Sequence, residues 1–237
     1  MQKFFRKLRQ KLLNEGQLQK YLLYAIGEIF LVVIGILIAI QINDWNEDRK
    51  GRIQEAILLE KLSQNIESNL MVIRETMQQD SASLQAIENL FFILENDLPY
   101  HDSIAGQFGY ALAAFPTSLS SSTMETIRAK GVDLIRSDQI REQALDLFDI
   151  EYQQVAEIYQ TDQQSYNNVE QGYILKNFQW TNFGTIPNDY SSILDDQEML
   201  NILSMRRVFR EYSILIKKGV MEKSGRLIKE IDAYLVQ

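Results

Sequence analysis

Cysteine is missing altogether, histidine occurs once, as His101, and proline only three times in 237 residues. Without cysteine there is no thiol catalysis, no disulfide and no cysteine-ligated metal or iron–sulfur centre. A single histidine excludes a multi-histidine metal site and leaves one candidate for any serine–histidine pair. The scarcity of proline points to long uninterrupted elements. No Gly-rich phosphate loop is present, because strings such as Gly109–Ala114 lack the glycine spacing and the lysine. These gaps empty most of the catalytic inventory, and the expectation is a chain that is not an enzyme, with no catalytic, cofactor-binding or metal-ligating residues.

What is present is unevenly distributed. Apolar residues make up 46% of the chain and charged ones 24%, ordinary globular usage. Lys3, Arg6, Lys7, Arg9, Lys11 and Lys20 oppose Glu15 alone in residues 1–20. The rest of the chain must therefore be more acidic than the overall net charge of −8 suggests. An acidic body does not bind nucleic acid by neutralising its backbone. The basic head contains Phe4, Phe5, Leu8 and Leu12 at helical spacing. It reads equally as a short interfacial helix or as a disordered orientation signal.

Behind the head, residues 21–42 read YLLYAIGEIFLVVIGILIAIQI, with Glu28 the sole charge. As a helix, this run extends roughly 33 Å, enough for a hydrocarbon core of ~30 Å. Tyr21 and Tyr24 at one end and Trp45 at the other suit the membrane–water interface. The basic excess precedes the run, so the reading is an uncleaved signal anchor. It places residues 1–20 in the cytoplasm, 21–42 in the bilayer and 43–237 across the membrane.

Glu28 is costly at membrane depth. It shares a helical face with Gly35 and Ala39, a small-xxx-small pair that lets another helix approach. Three roles stay open for it: a buried, protonated hydrogen-bonding group in a helix–helix contact, a shallow carboxylate reached by water or headgroups, or a proton relay.

Beyond Asn43 the apolar pattern narrows to one stripe. Leu59, Leu62, Ile66, Leu70, Ile73, Met77, Leu84, Ile87, Phe91 and Leu94 recur at threes, fours and one seven. This predicts a helix over about 44–95, either continuous with the membrane run or broken near 78–83. Shorter helices are expected at 104–115 and from Ser122, with a capping box to Glu125, to about Lys130 before Gly131. A second long helix is expected over 138–178, N-capped by Ser137, and a third over about 196–235. The third carries its apolar side on Leu200, Leu203, Phe209, Tyr212, Ile216, Val220, Leu227, Ile231 and Tyr234.

Asp195 and Asp196 read as capping residues, and His101 as a solvated turn residue. No strand pattern is evident, and 180–192 reads as a loop. Its aromatics, Trp180, Phe183 and Tyr190, could stack on a ligand or plug the end of a bundle. The fold class is all-α: one transmembrane helix followed by an elongated extracytoplasmic bundle of three long helices and two short ones, with coiled-coil-like packing.

The string KYLLYAIGEIFLVVIGILIAIQINDWNEDRK at 20–50 resembles the start of an uncharacterised family of single-span membrane proteins in Bacteroidota, a domain of unknown function. The block at 123–152, TMETIRAKGVDLIRSDQIREQALDLFDIEY, resembles the family's second block, departing from it at Arg136 and Phe148. The resemblance implies a bacterial inner membrane, with residues 43–237 as a helical body in the periplasm, and no activity or cofactor. Three functional expectations follow. The first is an interaction or scaffold module partnered by the bilayer and by a second copy or another membrane protein. The second is an extracytoplasmic sensor acting through a partner. The third is a proton-coupled accessory subunit using Glu28.

Overall fold

The computed structural model describes residues 18–181 and 184–236. The head residues Phe4, Phe5, Leu8 and Leu12, and the loop residue Phe183, lie outside the described residues, as do the side chains of Tyr21 and Tyr24. The chain divides into two compact units, with the boundary between Gln54 and Glu55. Its first helix, α1, runs Leu18–Glu95 without a break. The possible break at 78–83 is absent because no proline or glycine interrupts the backbone there.

In the first unit the apolar run is exposed on every side. Leu23, Ile29, Phe30, Leu31 and Ile42 are all more than 60% exposed. A helix that is apolar all round is suited to lipid or to a protein core, and within its unit no core covers these side chains.

In the second unit α1 buries Leu59, Leu62, Ile66 and Ile73 completely, as the three-four stripe requires. It ends in a Schellman turn. Asp97 takes a left-handed φ of 48°, the Asp97 N–H donates to the Leu94 carbonyl, and the Leu98 N–H reaches back to that of Ile93. Two short helices follow, α2 (Ser103–Leu112) and α3 (Ser122–Lys130). The segment between them is tied to α1 by Asn69, whose side chain donates to the Ser120 carbonyl at 2.9 Å and accepts from its N–H at 2.8 Å. The N-cap of α3 is Ser121 rather than Ser122, with its hydroxyl bonded to Glu125. The expected capping box is therefore not formed, because the Ser121 side chain bonds a carboxylate and not a backbone N–H of the first turn.

The second long helical stretch is interrupted by two π turns. It comprises α4 (Asp138–Asp146), a π turn at Leu147–Glu151, α5 (Tyr152–Ser165), a second π turn at Tyr166–Glu170, and α6 (Gln171–Asn177). Ser137 caps its start by accepting from the Ile140 N–H. A two-stranded antiparallel hairpin then replaces the expected loop: β1 (Phe178–Thr181) pairs with β2 (Gly184–Pro187). It carries no alternating burial on β1, where only Phe178 is buried, so the usual strand signature is missing. Gly184 has φ +129°, and a Cβ there would lie 2.7 Å from the Ala105 carbonyl oxygen, so only glycine lets the hairpin close on α2. A single-turn helix, α7 (Ser191–Leu194), leads to α8 (Gln197–Leu235), where the Asp196 side chain accepts from the Glu198 N–H.

The second unit has two apolar cores. One gathers α1 from Leu58 to Ile73 with α3, α4, the first π turn, α5 and the far end of α8 (Val220, Leu227, Ile231). The other gathers α1 from Ala86 to Leu94 with α2, α6, Phe178 and the start of α8 (Met199, Ile202, Leu203). At the first core's open end, Glu55 accepts from the Arg136 N–H at 2.7 Å and from the Tyr234 hydroxyl at 3.0 Å, closing α8 onto α1.

The face of α8 differs from its expected one between the two cores. Tyr212 is 52% exposed, while Arg206, Arg210 and Lys217 are buried. An apolar stripe predicts the buried face only where the neighbouring helices are apolar. Here they present carboxylates.

Candidate functional site

Between the two apolar cores, all three long helical stretches turn charged residues inward. α1 supplies Asp80 and Ser83, α5 with the second π turn supplies Asp162 and Glu170, and α8 supplies Arg206, Arg210, Ser213 and Lys217. Lys217 Nζ and the Ser213 hydroxyl both donate to Asp80 Oδ2 at 2.6 Å. Arg210 bonds Asp162 Oδ2 at 2.8 Å, the Ser83 hydroxyl at 3.2 Å and the Ala113 carbonyl at 2.7 Å. Arg206, with no exposed surface, donates Nε to Glu170 Oε2 at 2.7 Å and Nη1 to the Ala113 carbonyl at 3.2 Å. It also approaches Asp162 Oδ1 to 3.3 Å.

Three carboxylates face three cations, so the layer is charge-balanced. Charges this deep are tolerated only when paired and hydrogen-bonded. Burial pushes the Lys217 ammonium below the usual lysine range, and Asp80 opposes that shift by stabilising the charge.

One donor in the layer is left over. Arg206 Nη2 is buried and has no hydrogen-bond partner. Arg206 forms part of the wall of a cavity of about 270 Å³. Apolar and small residues, Gly109, Leu112, Ala113, Ala114 and Ile174, make up much of the remaining wall. Tyr166 and Trp180 add aromatic surface, and Gln163 and Thr185 add neutral polar groups. The Arg206 guanidinium sits 5.7 Å from the Tyr166 ring centroid. The second π turn sets this corner, since Tyr166 opens it and Glu170 closes it. Such turns are frequent at functional sites.

A cleft of about 300 Å³ is lined by Lys223, which pairs with Glu151, and by the Gln143 amide, which donates to Glu230 at 2.7 Å, together with Asp146 and Arg226.

The sequence-derived candidates are placed as follows. Trp180 is on β1, 56% exposed, and lines the cavity. Tyr190 is elsewhere: its hydroxyl donates to the Leu98 carbonyl at 2.8 Å and its ring lies 5.2 Å from that of Tyr100. The aromatic that plugs the core is Phe178, 5.1 Å from Phe108. Glu28 is half-buried, Gly35 and Ala39 are exposed on α1, and Trp45 is exposed. His101 lies in an exposed turn, 2.6 Å from the Ser103 hydroxyl.

The buried charge layer was missed from sequence. Its one signal is the seven-residue gap in the α1 stripe between Met77 and Leu84, which places Asp80 at a core position.

Residues 28–99 match the model of a family of unknown function, DUF6090. The match covers most of the apolar run and the α1 portion that lines both cores. It stops short of the second block of the resemblance at 123–152. No curated protein and no solved structure matches the chain. Among the described residues, α1 is the one helix long and apolar enough to cross a membrane.

Proposed function

We propose that the chain is a single-pass inner-membrane protein whose helical body, on the periplasmic side, works as a non-enzymatic interaction module. The observation that carries this is the exposed, all-round apolar surface of α1 from Leu22 to Ile42, which water solvates poorly and lipid solvates well. The basic residues ahead of it favour a cytoplasmic N-terminus. The Gly35–Ala39 face, with Glu28 two turns before Gly35, offers a site for a second copy or another membrane helix.

The absence of cysteine makes the orientation easy to test. Gln10→Cys and Ser118→Cys are each exposed to a membrane-impermeant maleimide in intact cells. The reading expects labelling of the Ser118 variant alone, with the Gln10 variant labelled only after lysis. The reverse pattern overturns it. Crosslinking in the same cells, followed by extraction in mild detergent, tests the interaction role. A monomer without crosslinks under every condition counts against it. A second reading, an extracytoplasmic ligand sensor acting through a partner, draws on the cavity at Arg206.

A further inference from the structure

We infer that the outward face of α8 around Tyr212 pairs with the same face of a second copy of this chain. The pairing depends on the membrane placement proposed above, because it needs both copies held in one bilayer.

The middle of α8 is turned inside out. Arg206, Arg210, Ser213 and Lys217 recur at steps of four, three and four, and all are buried. Val208, Tyr212, Leu215 and Gly219 repeat those steps two residues later, about 200° around the helix. Val208 is 60% exposed, Tyr212 52% and Leu215 64%. A helix lying on a core in water shows the opposite order, apolar inward and charged outward. α8 cannot roll to hide these side chains, because Glu170, Asp162 and Asp80 hold its charged side inward. The apolar stripe is therefore a fixed part of the surface, and contiguous apolar surface of this kind marks interaction sites.

The stripe matches itself. Steps of four and three are the spacing of a coiled-coil seam. No charge interrupts it from Val208 to Gly219, and a Cβ at Gly219 would meet nothing within 4 Å, which leaves room for a close helix. The next seam position is Glu222, where two copies in register bring like charges together, so the contact ends there. Around the stripe, Arg207 and Lys218 are balanced by Glu211 and Glu222. Surroundings without net charge do not repel an identical copy, and they select neither an acidic nor a basic partner. In register, Val208, Tyr212 and Leu215 of one copy meet the same residues of the other, as a two-fold requires.

The area fits an anchored partner. The exposed parts of the three side chains come to on the order of a few hundred Å² per copy. A standard stable interface uses ~800 Å² per partner. The stripe is thus too small to hold two free chains together. Copies anchored in one bilayer are already concentrated, and a contact of this size then suffices.

The chain has no cysteine, so single-cysteine variants of the full-length protein report the contact in cell membranes. Val208→Cys, Tyr212→Cys and Leu215→Cys lie on the stripe, while Glu211→Cys and Lys218→Cys are exposed controls beside it. After oxidation with copper phenanthroline, the stripe variants should give several-fold more disulfide-linked dimer than the controls. Adding Tyr212→Lys to Leu215→Cys should cut that dimer several-fold, with flotation and thermal melting as in the parent. Equal yields on and beside the stripe indicate random collision and overturn the inference. Dimers from Ala39→Cys but not from the stripe also overturn it, and leave pairing through the membrane run standing. Stripe cysteines shielded from a maleimide without forming dimers place a different protein on this face, which overturns the choice of a second copy. Recovery of the chain in the high-speed supernatant overturns the membrane placement and the pairing with it.

Discussion

Replacing Arg206 by methionine tests whether the buried charge layer holds the body together. Methionine fills a similar volume but brings no donors. Glu170, with no exposed surface, would keep only the Ser165 hydroxyl as hydrogen-bond donor, at 3.1 Å. Asp162 would still have Arg210 at 2.8 Å, and the Ala113 carbonyl would still accept from Arg210 at 2.7 Å. The damage is therefore concentrated on one stranded carboxylate. Breaking a buried pair from one side costs about 3–5 kcal/mol.

Arg206→Met combined with Glu170→Leu removes both charges. Apolar replacement of a whole buried pair is often neutral or better, so the double variant should recover most of the loss. Urea unfolding of the detergent-solubilised chain, followed by helical circular dichroism and by tryptophan fluorescence, measures both. A single variant within about 1 kcal/mol of the parent refutes the reasoning, because it is below the range for a stranded buried charge. A double variant as unstable as the single one also refutes it, because the cost would then come from packing and not from charge.

Other outcomes follow from particular residues. Burial, with the Asp196 carboxylate beside it, holds the Tyr173 phenol above its ordinary value of 10.0. The unfolded chain therefore ionises first, and the stability Tyr173 contributes is complete below pH 10 and falls away as the pH rises further. Melting temperatures from pH 9 upward should decline less steeply for Tyr173→Phe than for the parent, and parallel slopes would contradict the assignment. Leu62→Ala, at a site with no exposure, should cost about 2–5 kcal/mol in the same urea assay, and a cost below 1 kcal/mol would show that the first core is not packed there. Gly184→Ala should destabilise the hairpin, because its Cβ would press on the Ala105 carbonyl at a φ that L-residues avoid. Unchanged melting would contradict that geometry. Glu28→Leu should weaken association in mild detergent if the carboxylate takes part in a helix–helix contact, as measured by light scattering, and unchanged association removes that role.

The helices were legible because their signals are local. Apolar residues at threes and fours marked α1 through Leu59, Leu62 and Ile66, and single capping residues marked the starts of α4 and α8 at Ser137 and Asp196. The hairpin was not legible. Its strands are four residues long, and what holds it is the approach of Gly184 to α2, a tertiary contact with no local pattern.

The charge layer was hidden for a related reason. Arg206, Arg210 and Lys217 look like a solvated face when α8 is read alone, and they are inward only because Asp80, Asp162 and Glu170 arrive from distant parts of the chain. The same holds for the cavity. Trp180 stood out as an aromatic in a polar segment, but its separation from Tyr190 and its placement beside Arg206 depend on the hairpin and the second π turn.

The account depends most on lipid being the solvent for residues 21–42. Cell membranes carrying the full-length chain, washed in alkaline carbonate and then floated through a density gradient, test this directly. The chain should rise with the lipid and stay there after the wash. Recovery of the intact chain in the high-speed supernatant without detergent would contradict it.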